Sequence, residues 1–167
     1  MGGYAAFAVM RRSPALVRAL ILADTKAGAD SLEGRAARKA MLTLLEREGP
    51  QGVAREMMPK LLGRTTQDQN PDAEETVRRL IKRHSPNGIR DAVLRMMERP
   101  DSTPLLPSIT IPTLVLVGDE DVLTPPAESE AIAAAIPNAS LVRIAGAGHL
   151  SNLERSQAFE ASVEAFL

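Results

Sequence analysis

Apolar positions along this chain change their rhythm twice. From Gly2 to Arg12 small and apolar residues dominate and give way to Arg11-Arg12 and Ser13-Pro14, which predicts a short buried helix with cations in its last turn. Val17-Arg18-Ala19-Leu20-Ile21-Leu22-Ala23 is then almost continuously apolar, the pattern of a parallel strand covered on both faces. At Asp30 the period becomes helical. Asp30 with Glu33 predicts a capping box, followed by a stripe of Leu32, Ala36, Ala40, Met41, Leu44 and Leu45 that ends near Gly49-Pro50. A second stripe runs through Val53, Met57, Met58, Leu61 and Leu62 and stops at Gly63. The polar residues 65–70 predict a loop, after which Pro71 to about His84 and the stretch from Ser85-Pro86 through Ile89, Val93, Met96 and Met97 predict two more helices.

The strand rhythm returns after the proline-rich connector from Arg99 to Pro107. Thr113–Val117 predicts a buried strand, Pro125 to Ile136 a helix begun at Thr124, Ser140–Ile144 a strand and Leu153–Leu167 a final helix. Strand, helix, strand, helix is the repeat of a parallel sheet with right-handed crossovers. The predicted fold class is therefore α/β, with residues 1–29 and 100–167 forming the sheet-based core and residues 30–99 an all-helical insert.

Composition narrows the function. With 44% hydrophobic and 25% charged residues the 167-residue chain has the makings of one globular core. A net charge of -1 without a basic stripe argues against a nucleic-acid partner. No cysteine occurs, which removes disulfides, thiolate metal sites and a cysteine nucleophile, and nothing in the pattern calls for a metal or an organic cofactor. No apolar run approaches the ~20 residues of a membrane span. Arg11 and Arg12 follow the first apolar stretch instead of preceding it, the reverse of a secretory signal, so the expectation is a soluble cytoplasmic protein.

In open α/β sheets active sites collect in loops at the carboxyl ends of the strands. Gly118-Asp119-Glu120-Asp121 follows one predicted strand and Gly146-Ala147-Gly148-His149 follows the next. If the two strands are neighbours, a carboxylate and an imidazole meet on one rim, where the carboxylate would fix the tautomer of a general base. Asp119 and Glu120 are expected to be solvated neighbours or turn residues and not partners of the imidazole. His84 fits a cation at a helix C-terminus. Met57, Met58, Met96 and Met97 fit a helical core first and, alternatively, a substrate-binding pocket.

Three stretches resemble the α/β-hydrolase superfamily, and in particular small bacterial esterases and enol-lactonase-like hydrolases. Val115 to Pro126 resembles the acid loop, Gly146-Ala147-Gly148-His149 the histidine loop, and Met1-Gly2-Gly3-Tyr4 the second half of the nucleophile elbow Gly-x-Ser-x-Gly. The resemblance implies Asp121 and His149 as catalytic acid and base, Asp121 being chosen over Asp119 by the family's G-x-x-D spacing. It also implies that residues 30–99 are a cap, that the backbone N–H of Met1 belongs to the oxyanion hole, and that the substrate is a small ester or lactone. Met1 aligns with the residue after the nucleophile, so the serine is expected one position before it; none of the serines in residues 1–167 has the Gly-x-Ser-x-Gly context. The resulting expectations are a C-terminal hydrolase portion inactive as an isolated chain, and an exposed edge at the 17–23 strand that invites self-association. The alternative is a non-catalytic binding or assembly module derived from a hydrolase.

Overall fold

The computed structural model describes residues 1–167. Three parallel strands, β1 (Leu20–Ala23), β2 (Thr113–Gly118) and β3 (Ala139–Ile144), lie in the order β1-β2-β3. Leu22 pairs with Val115, and Val115 with Leu141, so alternate residues share a face in register. β2 is buried along its whole length, as expected for a central strand with an unbroken apolar run. β1 pairs with β2 alone, leaving its other side as a sheet edge.

Each face of the sheet has its own core. Leu20, Leu22 and Val115 pack with Phe7 and Met10 of α1 (Gly2–Arg12), Leu106 and Ile109 of the connector, and Ile132 and Ile136 at α6 (Pro126–Ala135). On the opposite face Leu114, Leu116, Ile144 and Ala147 meet Phe159, Val163 and Phe166 of the C-terminal helix α8 (Ser156–Phe166). Burying a Leu, Val or Phe side chain is worth about 1.5–3 kcal/mol, so these two clusters carry most of the stabilisation of the sheet.

Between β1 and β2 the chain is wholly helical: α2 (Leu32–Leu61), α3 (Arg64–Gln69), α4 (Pro71–Lys82) and α5 (Pro86–Met97), with α2 packed on α4 and α5. α2 spans both predicted helices and breaks at Gly49, whose φ of 63° lies in the left-handed region, with Pro50 opening the second half. Ser31, not Asp30, caps it, its hydroxyl accepting from Gly34 N–H at 3.1 Å. Asp30 is turned inward instead: Arg99 donates to it at 2.8 Å, and Arg38 also pairs with it. The Arg99 guanidinium lies 4.1 Å over the Tyr4 ring and donates to Gly28 O, so the cluster joins the chain entering the helical segment to the chain leaving it. Burial raises the Asp30 carboxyl, but the hydrogen bonds from Arg99 and Arg38 outweigh it and hold the pKa at about 2.

Several expectations need correction. Residues 65–70 are not a loop but mostly α3, a single polar turn and a half whose buried Thr66 offers no apolar stripe to read. β1 begins at Leu20, because Pro14–Leu16 close a 3-10 turn that delays the strand. The final helix is two, α7 (Ser151–Glu154) and α8, broken at Arg155. Met58 lies in the core with Leu62 and Val77, on the face of α2 that meets α4, in line with the first of its two readings.

Candidate active site

The parallel register brings the carboxyl ends of all three strands to one rim. Asp24 follows β1, Asp121 lies three residues beyond β2, and His149 lies five beyond β3. Asp121 is fully buried at its side chain, and its Oδ2 lies 2.8 Å from His149 Nδ1. Its other oxygen accepts from the backbone N–H groups of Leu123 at 2.8 Å and Thr124 at 3.0 Å. Thr124 also donates its hydroxyl to Oδ2 at 2.7 Å and sits 3.2 Å from Nδ1. Sequence reasoning took Thr124 only as a helix start; its position three residues after an acid was the available signal.

Burial raises the Asp121 pKa, yet the bond from His149, the charge of that ring and the donations from Thr124 hold the carboxyl below its usual range. Asp121 is therefore an acceptor at Nδ1, which places the proton of the neutral imidazole there and the lone pair on Nε2. The side chain of His149 is 22% exposed, and its hydrogen bonds all run through Nδ1. The arrangement has the chemistry an oriented general base requires, with the ring partly open to solvent.

The histidine loop is held by backbone contacts that tolerate no side chain. A Cβ on Gly148 would meet Gly63 N at 2.2 Å, so the turn between α2 and α3 passes directly against this loop. Glu154, almost wholly buried, accepts from Gly63 N–H at 2.7 Å, Gly148 N–H at 2.9 Å and Leu150 N–H at 3.1 Å. His149 N–H itself donates to Leu61 O at 3.0 Å. Glu120 and Asp119 sit in a turn, Asp119 exposed and neither against the imidazole, and both also serve as structural acceptors: Glu120 takes the amide and hydroxyl of Thr65, and Asp119 takes Gly146 N–H at 2.7 Å. Their spacing from Asp121 gave no hint of these acceptor roles, because the partners are 55 residues away for Glu120 and 27 for Asp119.

Asp24 was also missed. It has a φ of 46°, and its carboxylate accepts from Gly118 N–H at 3.0 Å and from Ser151 through Oγ at 2.6 Å and N–H at 3.3 Å. Burial pushes its carboxyl up to about 6, against the pull of Ser151, Gly118 and the His149 ring.

The remaining candidates are dispersed. Met1 precedes α1, and its carbonyl accepts from Ala5 N–H. Met57 is half-buried on α2; Met96 puts its sulfur 3.5 Å from an Arg38 nitrogen, and Met97 lines a shallow groove with Leu32, Arg35, Ala36 and Lys39. No group of three or more His, Asp or Glu residues is arranged to hold a metal ion, and no helix is long and apolar enough to cross a membrane.

Comparison with known proteins extends the geometry. The sequence profile of the alpha/beta hydrolase fold matches residues 1–156. A thermophilic esterase from Thermogutta terrifontis, solved with malate bound, superposes with a TM-score of 0.93 at 41% identity, over 98% of this chain and 60% of that one. The enol-lactonase from Burkholderia xenovorans LB400 gives a TM-score of 0.88 at 26% identity, over 99% of this chain and 62% of that one. A pimeloyl-[acyl-carrier protein] methyl ester esterase of Neisseria meningitidis is 27% identical over the whole chain, which spans 66% of its length.

Proposed function

The chain belongs to the α/β-hydrolase fold family, and on that premise we propose that it carries the acid and the base of a carboxylic-ester or lactone hydrolase. The observation that supports this reading is the 2.8 Å contact between Asp121 Oδ2 and His149 Nδ1, with Nε2 left free on the strand rim. An esterase and an enol-lactonase among the similar structures favour hydrolysis of a small ester or lactone over a non-catalytic binding module.

In this reading a serine hydroxyl outside residues 1–167 attacks the substrate carbonyl while His149 Nε2 takes its proton. Asp121 stabilises the resulting imidazolium and keeps the ring in its tautomer. The backbone N–H of Met1, at the start of α1, donates to the carbonyl oxygen as it gains charge, provided a peptide bond precedes it. His149 then protonates the leaving alkoxide, and a water activated by the same nitrogen releases the acid and regenerates the serine. Residues 30–99 act as the cap over this chemistry, with the half-buried Met57 a candidate acyl contact. Residues 1–167 alone supply no such serine and are expected to turn over esters no faster than their H149A variant. Their unpaired β1 edge is a surface for self-association, which sedimentation of this segment would detect as a dimer or larger species.

The test is turnover of p-nitrophenyl esters and simple lactones by the protein carrying the serine-bearing segment, with D121N and H149A beside it. Each substitution is expected to lower kcat by roughly 10³–10⁴-fold. A fluorophosphonate probe, which labels activated serines, should mark the parent protein and not H149A. Equal ester turnover in the parent and H149A would overturn the reading.

A further inference from the structure

Asp24 is a half-buried carboxylate that the reaction just described does not use, and its placement is costly. A φ of 46° puts a non-glycine residue in the left-handed region, which crowds Cβ and is tolerated best by Asp, Asn and Gly. The residue is held there from three directions. Its own N–H donates to Leu116 O at 2.9 Å on β2. Oδ1 accepts from the amide of Gly118, the residue that ends β2 and opens the acid loop, at 3.0 Å. Oδ2 accepts the hydroxyl of Ser151 at 2.6 Å and its amide at 3.3 Å, two residues beyond His149. Ser151 is fully buried, so its hydroxyl and amide have no water to turn to.

One carboxylate thus bridges the loop that carries Asp121 and the loop that carries His149. The two loops also meet through the Asp121–Thr124–His149 contacts, through Glu120 N–H, which donates to Ala147 O at 2.9 Å, through Gly146 N–H, which donates to Asp119 at 2.7 Å, and through the close approach of Gly118 to Ala147 and Gly148; Asp24 ties them from the β1 side. Asp24 is also near enough to the ring for its charge to interact with an imidazolium. The ionisable groups that face it are His149 and, through that ring, Asp121; its other partners, Gly118 and Ser151, are neutral.

The geometry points to Asp24 as a positioning residue for the hydrolytic reaction: its carboxylate sets the distance between the Asp121 and His149 loops and adds a second negative charge facing the imidazolium formed during turnover. This rests on the reading of Asp121 and His149 as acid and base. It differs from a plain packing role because it makes the Nδ1–H···Oδ2 bond of that pair depend on a residue that touches neither partner of it.

The test reads that bond directly, in residues 1–167, by the proton resonance of His149 Nδ1–H, identified by its loss in H149A. D24G keeps the positive φ without strain and removes the carboxylate; D24N keeps the Oδ1 acceptor for Gly118 and removes the charge. Both are expected to fold. The resonance should shift upfield or broaden into exchange with water in D24G and move less in D24N. In the catalytically complete protein kcat should fall by about 10²-fold in D24G and about tenfold in D24N, with KM nearly unchanged. An unmoved Nδ1–H resonance in D24G would overturn the inference, even if stability or activity fell, because the role would then be structural only. Wild-type kcat in both variants would overturn it as well. D121N separates this from the parent reading: if D121N leaves the resonance in place, the Asp121–His149 pair itself is rejected.

Discussion

Glu154 offers the sharpest test of how the histidine loop is held. Its carboxylate takes three backbone N–H groups, from Gly63 at the end of the long helix and from Gly148 and Leu150 on either side of His149. The residue is 5% exposed, and Gly63 and Gly148 are buried with it. In E154A those donors lose an ionised acceptor and have no access to bulk water. An orphaned buried donor costs about 1–3 kcal/mol. Leu150 is partly exposed and recovers some of its loss through solvent, so the whole change is expected to destabilise the fold by about 3–5 kcal/mol. In E154Q the amide oxygen can keep Gly148 and Leu150, which share one oxygen of Glu154, while the NH₂ group faces the Gly63 N–H donor to donor. One charge-assisted bond is lost, about 1.5–3 kcal/mol. The assay is urea unfolding followed by circular dichroism at pH 7, with the three proteins compared at a common m-value. An E154A variant within about 1 kcal/mol of the parent would refute the assignment of those three bonds, and so would an E154Q variant as damaging as E154A.

Three further outcomes are expected. In G148A the new Cβ would strike the backbone at Gly63, so the variant should lose about 1–3 kcal/mol in the same unfolding assay and shift the His149 Nδ1–H resonance; a silent substitution would show that the loop and the α2–α3 turn are not in contact. Asp30 has its carboxyl displaced downward from 3.8 to about 2, so it contributes stability that is fully present above the unfolded value and is lost as pH falls through about 2. That displacement corresponds to about 2 kcal/mol at neutral pH; D30N should therefore be less stable than the parent at pH 6, with the gap narrowing between about pH 4 and 2 in urea titrations. A gap independent of pH would contradict it. In T124V the hydroxyl that donates to Asp121 Oδ2 is removed at nearly constant volume, and the Asp121 carboxyl should titrate higher by ¹³C NMR; an unchanged titration would mean that Thr124 does not hold the acid.

The parts legible in the sequence were those written in local periodicity. The buried run Thr113–Val117 was legible as a covered parallel strand because every one of its side chains is buried between the two cores, and the small-apolar pattern of Gly2–Arg12 as a helix on the sheet because Phe7 and Met10 anchor it there. Asp121 and His149 were legible because glycine-flanked loops after such strands are few. What escaped was long-range polar pairing. Asp24, Glu120 and Glu154 resemble any surface carboxylate in sequence, and their acceptor roles exist only because Gly118, Thr65 and Gly63 are folded against them from 94, 55 and 91 residues away. Asp30 misled for a related reason: it stands where a helix cap is expected, but the adjacent Ser31 satisfies the helix and frees Asp30 for Arg38 and Arg99.

The turn from Leu61 to Thr66 is anchored to the loops that carry Asp121 and His149, whereas the turn from Arg83 to Ser85 between α4 and α5 is exposed to solvent on every residue. The helical segment is thus graded in its freedom to vary. Residue insertions or helix exchanges at positions 83–85 would fall on exposed backbone and leave the imidazole where it is. The same edits at 61–66 would be felt at His149 itself. On the proposed reading of residues 30–99 as a cap, directed evolution of substrate range has a natural place to begin at its exposed end.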